Sequence, residues 1–279
     1  MSRVLLFCPT YEVDGNLHIW PQTRASIDGI LPPPGMDVRT VIGVDNPYPG
    51  ERHRNTLHQY QIAREVVLSE DYDALFIIED DMIVPADALE KMWNTDALVV
   101  YGLYRFRYPN YAINAMQYTG ASNIGDNLSD HPYELDTAQK RGWTEVSGIG
   151  FGCILIRRTV LEKIKFRDSD GSYPPDMGFA QDCVRAGIKQ IMRFDVQCGH
   201  IADDGNVLWP GRGLSMVKCK ILTDFNAPVN GRLTRFTNGE NVDLPVYEAR
   251  EFARAGFLEI IEQPAVKIVR KPRTDKAVK

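Results

Sequence analysis

Residues 74–85 read Ala-Leu-Phe-Ile-Ile-Glu-Asp-Asp-Met-Ile-Val-Pro. Five apolar residues, Ala74 to Ile78, run without a polar interruption. A short run of that kind, with β-branched and aromatic members, predicts a strand buried on both faces. It stops at Glu79-Asp80-Asp81. Three adjacent carboxylates at the end of a buried strand repel one another and lose hydration. A divalent cation is the usual relief, because hard oxygen ligands suit magnesium or manganese. In open α/β sheets the carboxyl ends of the strands are where ligands bind. The plainer alternative is an acidic turn.

The flanking sequence decides between them. Residues 4–8 form an apolar run stopped by Pro9-Thr10, a first strand and a loop. Residues 38–44 predict a second strand ending in Asp45-Asn46. Leu57, Ile62, Ala63, Val66 and Val67 fall at helical spacing within 55–69. Further strands are predicted at 97–101 and 188–194, and short helices near 23–30, 87–94 and 159–164. Strands alternating with helices in this way predict an α/β fold built on a doubly wound, mostly parallel sheet.

Residues 105–145 show little periodicity, and so long an irregular stretch is usually functional or mobile. Residues 146–156, Val-Ser-Gly-Ile-Gly-Phe-Gly-Cys-Ile-Leu-Ile, carry glycines that permit close approach of a ligand. They are not a dinucleotide fingerprint: the spacing is Gly148-x-Gly150-x-Gly152, and a strand follows. Asp176 stands at the mouth of a predicted helix, where the dipole favours a carboxylate, so a cap and a chemical role are both open to it. Asp182 follows a turn and a half later. Residues 201–216, with Asp203, Asp204, Trp209 and three glycines, predict a flexible lid.

Here the chain resembles the nucleotide-sugar glycosyltransferases of the GT-A fold, a Rossmann-like architecture. Ile-Glu-Asp-Asp-Met-Ile-Val-Pro is similar to their DxD motif, with Glu79, Asp80 and Asp81 in its three positions. Glu for the first Asp is a departure, and it leaves open whether Glu79 or Asp80 reaches the donor ribose. The resemblance implies that Asp81 and Glu79 hold Mn2+ or Mg2+ against the diphosphate of the donor. His200, after the last core strand, matches the histidine that completes the metal shell, a role imidazole suits. Pro9, Thr10 and Asp45 stand where the family cradles the nucleotide base. Arg54-Asn55 resembles its turn near the donor, and Arg52 and Arg54 are placed to reach the diphosphate. Gly150 falls in the segment beside the donor and acceptor sugars. The spacing from Asp176 to Phe179 and to Ala186-Gly187 matches the segment of the general base, with Pro175 replacing the usual Glu.

The totals agree with a globular enzyme. The chain has 279 residues, 44% hydrophobic and 25% charged, at a net charge of −5, so nonspecific nucleic-acid binding is not the main expectation. Five scattered cysteines without CxxC spacing predict reduced, structural thiols and a cytoplasmic setting. The N-terminal apolar run is too short for a signal peptide. No run approaches the ~18 apolar residues of a membrane span.

The expectation is therefore a GT-A domain over residues 1–222, a small β-hairpin and helix appendage over 223–263, and a basic, disordered tail over 264–279. The implied activity is metal-dependent, hexosyltransferase-like transfer of a sugar from a nucleoside diphosphate to a hydroxyl, with inversion. The acceptor stays open among protein, glycan, lipid and modified nucleic acid. One rival is a nucleotidyltransferase, which would carry a glycine-rich loop with Arg and Lys after strand one, unlike Cys8-Pro9-Thr10-Tyr11-Glu12. The other is a non-catalytic binding protein on the same fold.

Overall fold

The structure, a computed structural model, describes residues 1–13, 16–107, 113–118, 124–127, 132–168, 175–210, 216–229, 232–245, 249 and 252–261. It divides into two compact units, Met1–Arg212 with Pro228–Arg232, and Gly213–Ala227 with Leu233–Lys279. The expected tail over 264–279 lies outside the described residues.

The first unit is a mixed α/β body around a seven-stranded, mostly parallel sheet, a Rossmann-like doubly wound arrangement. In chain order its strands are β1 (Ser2–Pro9), β4 (Met36–Gly43), β5 (Ala74–Ile78), β7 (Val99–Leu103), β10 (Trp143–Val146), β11 (Cys153–Arg157) and β12 (Gln190–Gln197). Their order across the sheet is β10-β12-β7-β11-β5-β1-β4. The short strands β2 (Glu12–Val13) and β3 (Asn16–Leu17) pair beside it. Strand β5 takes the interior, with every residue buried, because its apolar run has no polar side chain to turn toward water.

Two strands run against the other five. β11 lies antiparallel between β5 and β7, and β10 is antiparallel to β12. The reversal of β11 matters for function. Its amino end, Cys153, pairs with Ile78 at the carboxyl end of β5. The glycine segment that leads into β11 is thereby delivered beside the acidic triplet, and Glu79 N donates to Gly152 O at 3.1 Å.

Helices α1 (Pro21–Asp28), α2 (Arg52–Ser69), α3 (Ala88–Trp93) and α5 (Arg158–Leu161) connect these strands, and α2, after β4, buries Gln59, Tyr60, Ala63, Arg64 and Val67 along one face. Helix α6 (Pro175–Arg185) buries Phe179, Ala180 and Cys183. Tyr60, Phe151, Phe166 and Phe179 meet in a closed aromatic cluster, ring centroids 5.1–5.6 Å apart. This cluster fixes α2, the glycine segment and α6 to one another. All five cysteines are buried thiols. No helix among the described residues is long and apolar enough to cross a membrane.

Three local expectations change. Within 105–145 the chain forms β8 (Met116–Tyr118), β9 (Ile124–Asn127) and α4 (Pro132–Arg141), elements too short for periodicity to reveal. The first part of the predicted lid is regular. β13 (Gly199–Ile201) pairs with both β6 (Met82–Ile83) and β14 (Val207–Leu208), and the ring of Trp209 lies against Gly199. Residues 211–215 lie outside the described set. In the second unit, β17 (Arg232–Phe236) pairs with β16 (Phe225–Val229), whereas β18 (Asn241–Pro245) pairs with β15 (Met216–Ile221). The turn at Asn238-Gly239 therefore joins two sheets, and the hairpin is β16–β17. Phe225 meets Phe236, Phe252 and Phe257 in this unit, with Phe236 buried and Phe257 at the exposed edge of the group.

Phe179 is fully buried at the centre of the first unit's cluster. Phe179→Ala should lower stability by about 3–5 kcal/mol, read from the urea midpoint. A loss below ~1 kcal/mol would mean that the cluster does not bear on stability.

Candidate functional site

A cleft of about 580 Å³ opens at the carboxyl ends of β1, β5 and β7. Its walls include Pro9, Thr10, Arg52, Asn55, Glu79, Asp80, Asp81, Gly150, Asp176 and His200, ten of the twelve residues given a site role above. Asp45 and Arg54 are not among the lining residues. Asp45 is largely exposed and paired with His58 Nε2 at 2.9 Å. Arg54 binds Glu51 at 3.0 Å and lies over the Tyr48 ring. Both have nearby partners on the turn into α2, and those partners hold them at its surface. Arg52, exposed, does line the cleft, and its charge acts on Asp80 and Asp81.

Each carboxylate of the triplet has its own environment. Glu79 accepts the hydroxyl of Tyr60 at 2.8 Å. Burial, then repulsion from Asp81 and Asp176, pushes Glu79 from its ordinary 4.5 up to about 7. Asp80 stands 3.1 Å from the Thr10 hydroxyl, which shares its proton between Asp80 and the His18 carbonyl. Burial and Asp81 raise Asp80 to about 6, against the opposing pull of Thr10. Asp81 is 6% exposed. Its Oδ2 receives Arg107 Nη1 at 2.6 Å and faces His200 Nε2 at 3.4 Å. Burial works to raise Asp81, but His200 and Arg107 outweigh it and hold the carboxyl below its usual range.

His200 is fixed by backbone. β13 pairs Met82 with His200, and Ile201 N donates to Asp81 O at 2.8 Å. The ring Nδ1 lies 2.7 Å from the Arg105 carbonyl, which can only accept, so Nδ1 carries a proton and Nε2 faces Asp81. A second ring hydrogen bond of this kind is how metal-binding histidines are oriented. Asp81 Oδ1 is buried and meets no donor among the described residues. The oxygen and imidazole donors therefore suit a hard divalent cation. Among the described residues, no three His, Cys, Asp or Glu side chains stand together as a ready-made cage.

On the opposite wall, Asp176 lies in the first turn of α6 rather than ahead of it, and its Oδ1 accepts Met177 N at 2.8 Å. Burial raises its carboxyl to about 6 even against that hydrogen bond. Asp182 is elsewhere: Arg167 grips it at 2.6 and 2.7 Å, and that contact first of all lowers its pKa.

Gly150 explains the crowding here. A Cβ on it would lie 2.5 Å from Tyr104 Oη, 2.9 Å from Asn114 Nδ2 and 3.1 Å from Asp176 Oδ2. The close approach that the glycine allows is thus by the protein's own polar groups as well as by the cleft. Tyr104 Oη accepts Asn114 Nδ2 at 2.9 Å and Gly152 N at 3.3 Å. Gln59 binds Thr10 O and Asn46 Oδ1, both at 2.7 Å, and holds the loop after β1. Asn55 clamps Tyr48 through both its backbone groups. Gln59, Tyr60, Tyr104, Arg107 and Asn114 carried no sequence signal, since helix interior positions and aperiodic segments do not mark them.

No protein-family model matches the sequence, and no curated protein matches it. Among solved structures, the crystal structure of A197 from STIV is similar over 75% of this chain and 94% of that one, at TM-score 0.45 and 16% identity. The inositol-1-phosphate CTP transferase from T. maritima is similar over 74% and 91%, at TM-score 0.37 and 14% identity. Likenesses of that size carry no argument about activity.

The raised carboxylates set a stability profile. Glu79, Asp80 and Asp176 all titrate higher in the fold than their ordinary 4.5, 3.8 and 3.8. The fold therefore favours their protonated forms, and that contribution is lost as pH rises through about 6 and 7. Melting temperature should fall between about pH 4 and 7 in chelator, and Glu79→Gln should flatten the fall. A steeper fall in the variant would remove Glu79 as its source.

Proposed function

We propose that this protein is a metal-dependent glycosyltransferase that moves a sugar from a nucleoside diphosphate donor to an acceptor hydroxyl. The observation that carries the reading is the buried strand β5 ending in Glu79-Asp80-Asp81 on the wall of the cleft, with Asp81 Oδ1 meeting no donor among the described residues. Asp81, His200 and Glu79 would hold Mn2+ or Mg2+. When bound, that ion supplies positive charge against the leaving diphosphate.

The remaining work falls to the chain's own groups. Thr10, Asn46 and Gln59 form a hydrogen-bonded wall against which a nucleoside fits. Arg52, on the first turn of the 18-residue α2, presents positive charge and the helix dipole to phosphate oxygens, with the His53 ring beside it on the cleft wall. Asp176 faces the cleft and takes the proton of the acceptor hydroxyl, which supports direct displacement with inversion. A nucleotidyltransferase reading lacks its phosphate cradle, since β1 runs directly into Pro9-Thr10, and Thr10 N donates to Gly43 O at 2.9 Å.

Incubation with UDP-, GDP-, ADP- and TDP-sugars plus Mn2+, following release of the nucleoside diphosphate, tests the activity. No release and no thermal shift with any of them would overturn the reading. Given an active donor, Arg52→Ala should weaken donor binding by roughly tenfold while leaving the melting temperature near the parent's.

Asp176→Asn should slow transfer by about 10²–10⁴-fold with donor affinity intact. The parent's rate should climb with pH through about 6, because the base must be ionised, and that bend should vanish in the variant. Asp182→Asn should transfer near the parent rate. The reverse outcome, an active Asp176→Asn and a dead Asp182→Asn, would move the base to Asp182.

A further inference from the structure

Arg107, on the segment after β7, had no place in the expected site, yet it makes the shortest polar contact in the acidic cluster. Its Nη1 lies 2.6 Å from Asp81 Oδ2. That oxygen is also the one that faces His200 Nε2, at 3.4 Å. Oδ2 is the Asp81 oxygen that faces His200, and a guanidinium standing on it opposes a cation placed between the two side chains by both volume and charge. Asp81 Oδ1, buried and without a donor among the described residues, shows that Arg107 satisfies only half of the carboxylate. A second anion stands ready for Arg107: Asp203 Oδ1 is 3.8 Å from the same Nη1 and its side chain is 98% exposed. An exposed pair of that kind holds weakly, so Asp203 offers the guanidinium an alternative anion without competing strongly against Asp81.

We infer that Arg107 is the resident counter-ion of Asp81 and that it exchanges with a divalent cation, so that Arg107 sets how tightly the cleft takes the metal. The inference rests on the metal site of the proposed function. On binding, the cation takes Asp81 and His200, and the guanidinium turns to Asp203 and the cleft. Charge at the carboxylate is compensated in both arrangements, and the two positive groups do not share one oxygen. Binding the metal therefore includes the cost of breaking a short, largely buried ion pair, and affinity in the parent is held down by that amount.

The test uses the full-length chain and Mn2+ alone, with no nucleotide, followed by calorimetry and by the Mn2+ spin-resonance signal. Arg107→Met should bind Mn2+ roughly tenfold or more tightly than the parent, the order expected for removing a positive charge a few ångströms from a divalent ion. Arg107→Gln, which keeps hydrogen-bonding groups without the charge, should tighten binding likewise. Asp81→Asn should abolish binding and so locate the ion. Circular dichroism confirms that each variant is folded, and either arginine variant suffices if the other is not.

Unchanged or weaker Mn2+ binding in the folded arginine variants would overturn the exchange and make Arg107 an orienting partner of Asp81. Tightening in Arg107→Met but not in a folded Arg107→Gln would also overturn it, since the effect would then not follow charge. Absence of Mn2+ binding in parent and variants alike would overturn it too. Because no sugar nucleotide is present, tightening with no sugar nucleotide ever bound would leave this inference standing while the donor reading falls.

Discussion

Glu79, Asp80 and Asp81 leave a strand with no exposed residue, and little water reaches them there. Taking a carboxylate out of water costs several kcal/mol unless partners replace the lost hydration. The neighbouring elements supply those partners one by one: Tyr60 from α2 to Glu79, Thr10 from the end of β1 to Asp80, His200 from β13 and Arg107 from beyond β7 to Asp81. Four separate parts of the first unit are thereby tied to one strand end. The compensation is incomplete, since Asp81 Oδ1 meets no donor among the described residues and both Glu79 and Asp80 stay raised. A fold that only needed stability would place apolar residues here, so the residual cost points to a ligand that relieves it.

The antiparallel strand β11 is the second constraint. In a wholly parallel sheet the chain before a strand lies at the end away from the ligand crevice. Reversing β11 between β5 and β7 brings its leading glycines to the carboxyl end of β5 instead. Tyr104, arriving from β7, then leans over Gly150 and Gly152, where any side chain would collide with its ring or hydroxyl. The same missing Cβ lets Asp176 approach from α6. Sheet topology, two glycines and the aromatic cluster behind them thus fix where the cleft's two walls face each other.

Much of this was legible in the chain because its cause is local. An uninterrupted apolar run ending in three acids announces both β5 and the site. The spacing of Leu57, Ala63 and Val67 announces α2. The glycines of 148–152 announce close packing, though not what packs. Asp45 and Arg54 show the limit of position in sequence: each sits at a suitable strand or helix end, but His58 and Glu51 hold them at the surface. Gln59, Tyr60, Tyr104, Arg107 and Asn114 depend on which strands become neighbours across gaps of tens of residues, and no local pattern records that. The turn at Asn238-Gly239 is a clear hairpin signal that ends up joining two sheets, because strand partners are chosen by tertiary packing.

Asp81 and Asp176 face one cleft, yet the fold drives them in opposite directions. For Asp81 burial is outweighed by His200 and Arg107, and its carboxylate stays charged across the whole neutral range. For Asp176 burial prevails over its backbone hydrogen bonds, and the carboxyl comes up to about 6. A group that must hold a cation gains from the first environment, and a group that must accept a proton near neutrality gains from the second. Asp182 is the useful contrast, since it shares a helix with Asp176 and meets two arginines in place of a buried wall. Its pKa falls, it cannot usefully take a proton at neutral pH, and it lies off the cleft. What separates the carboxylates in this protein is therefore the company the fold gives each, and on that separation rest the roles proposed for them, charge-holding for Asp81 and proton transfer for Asp176.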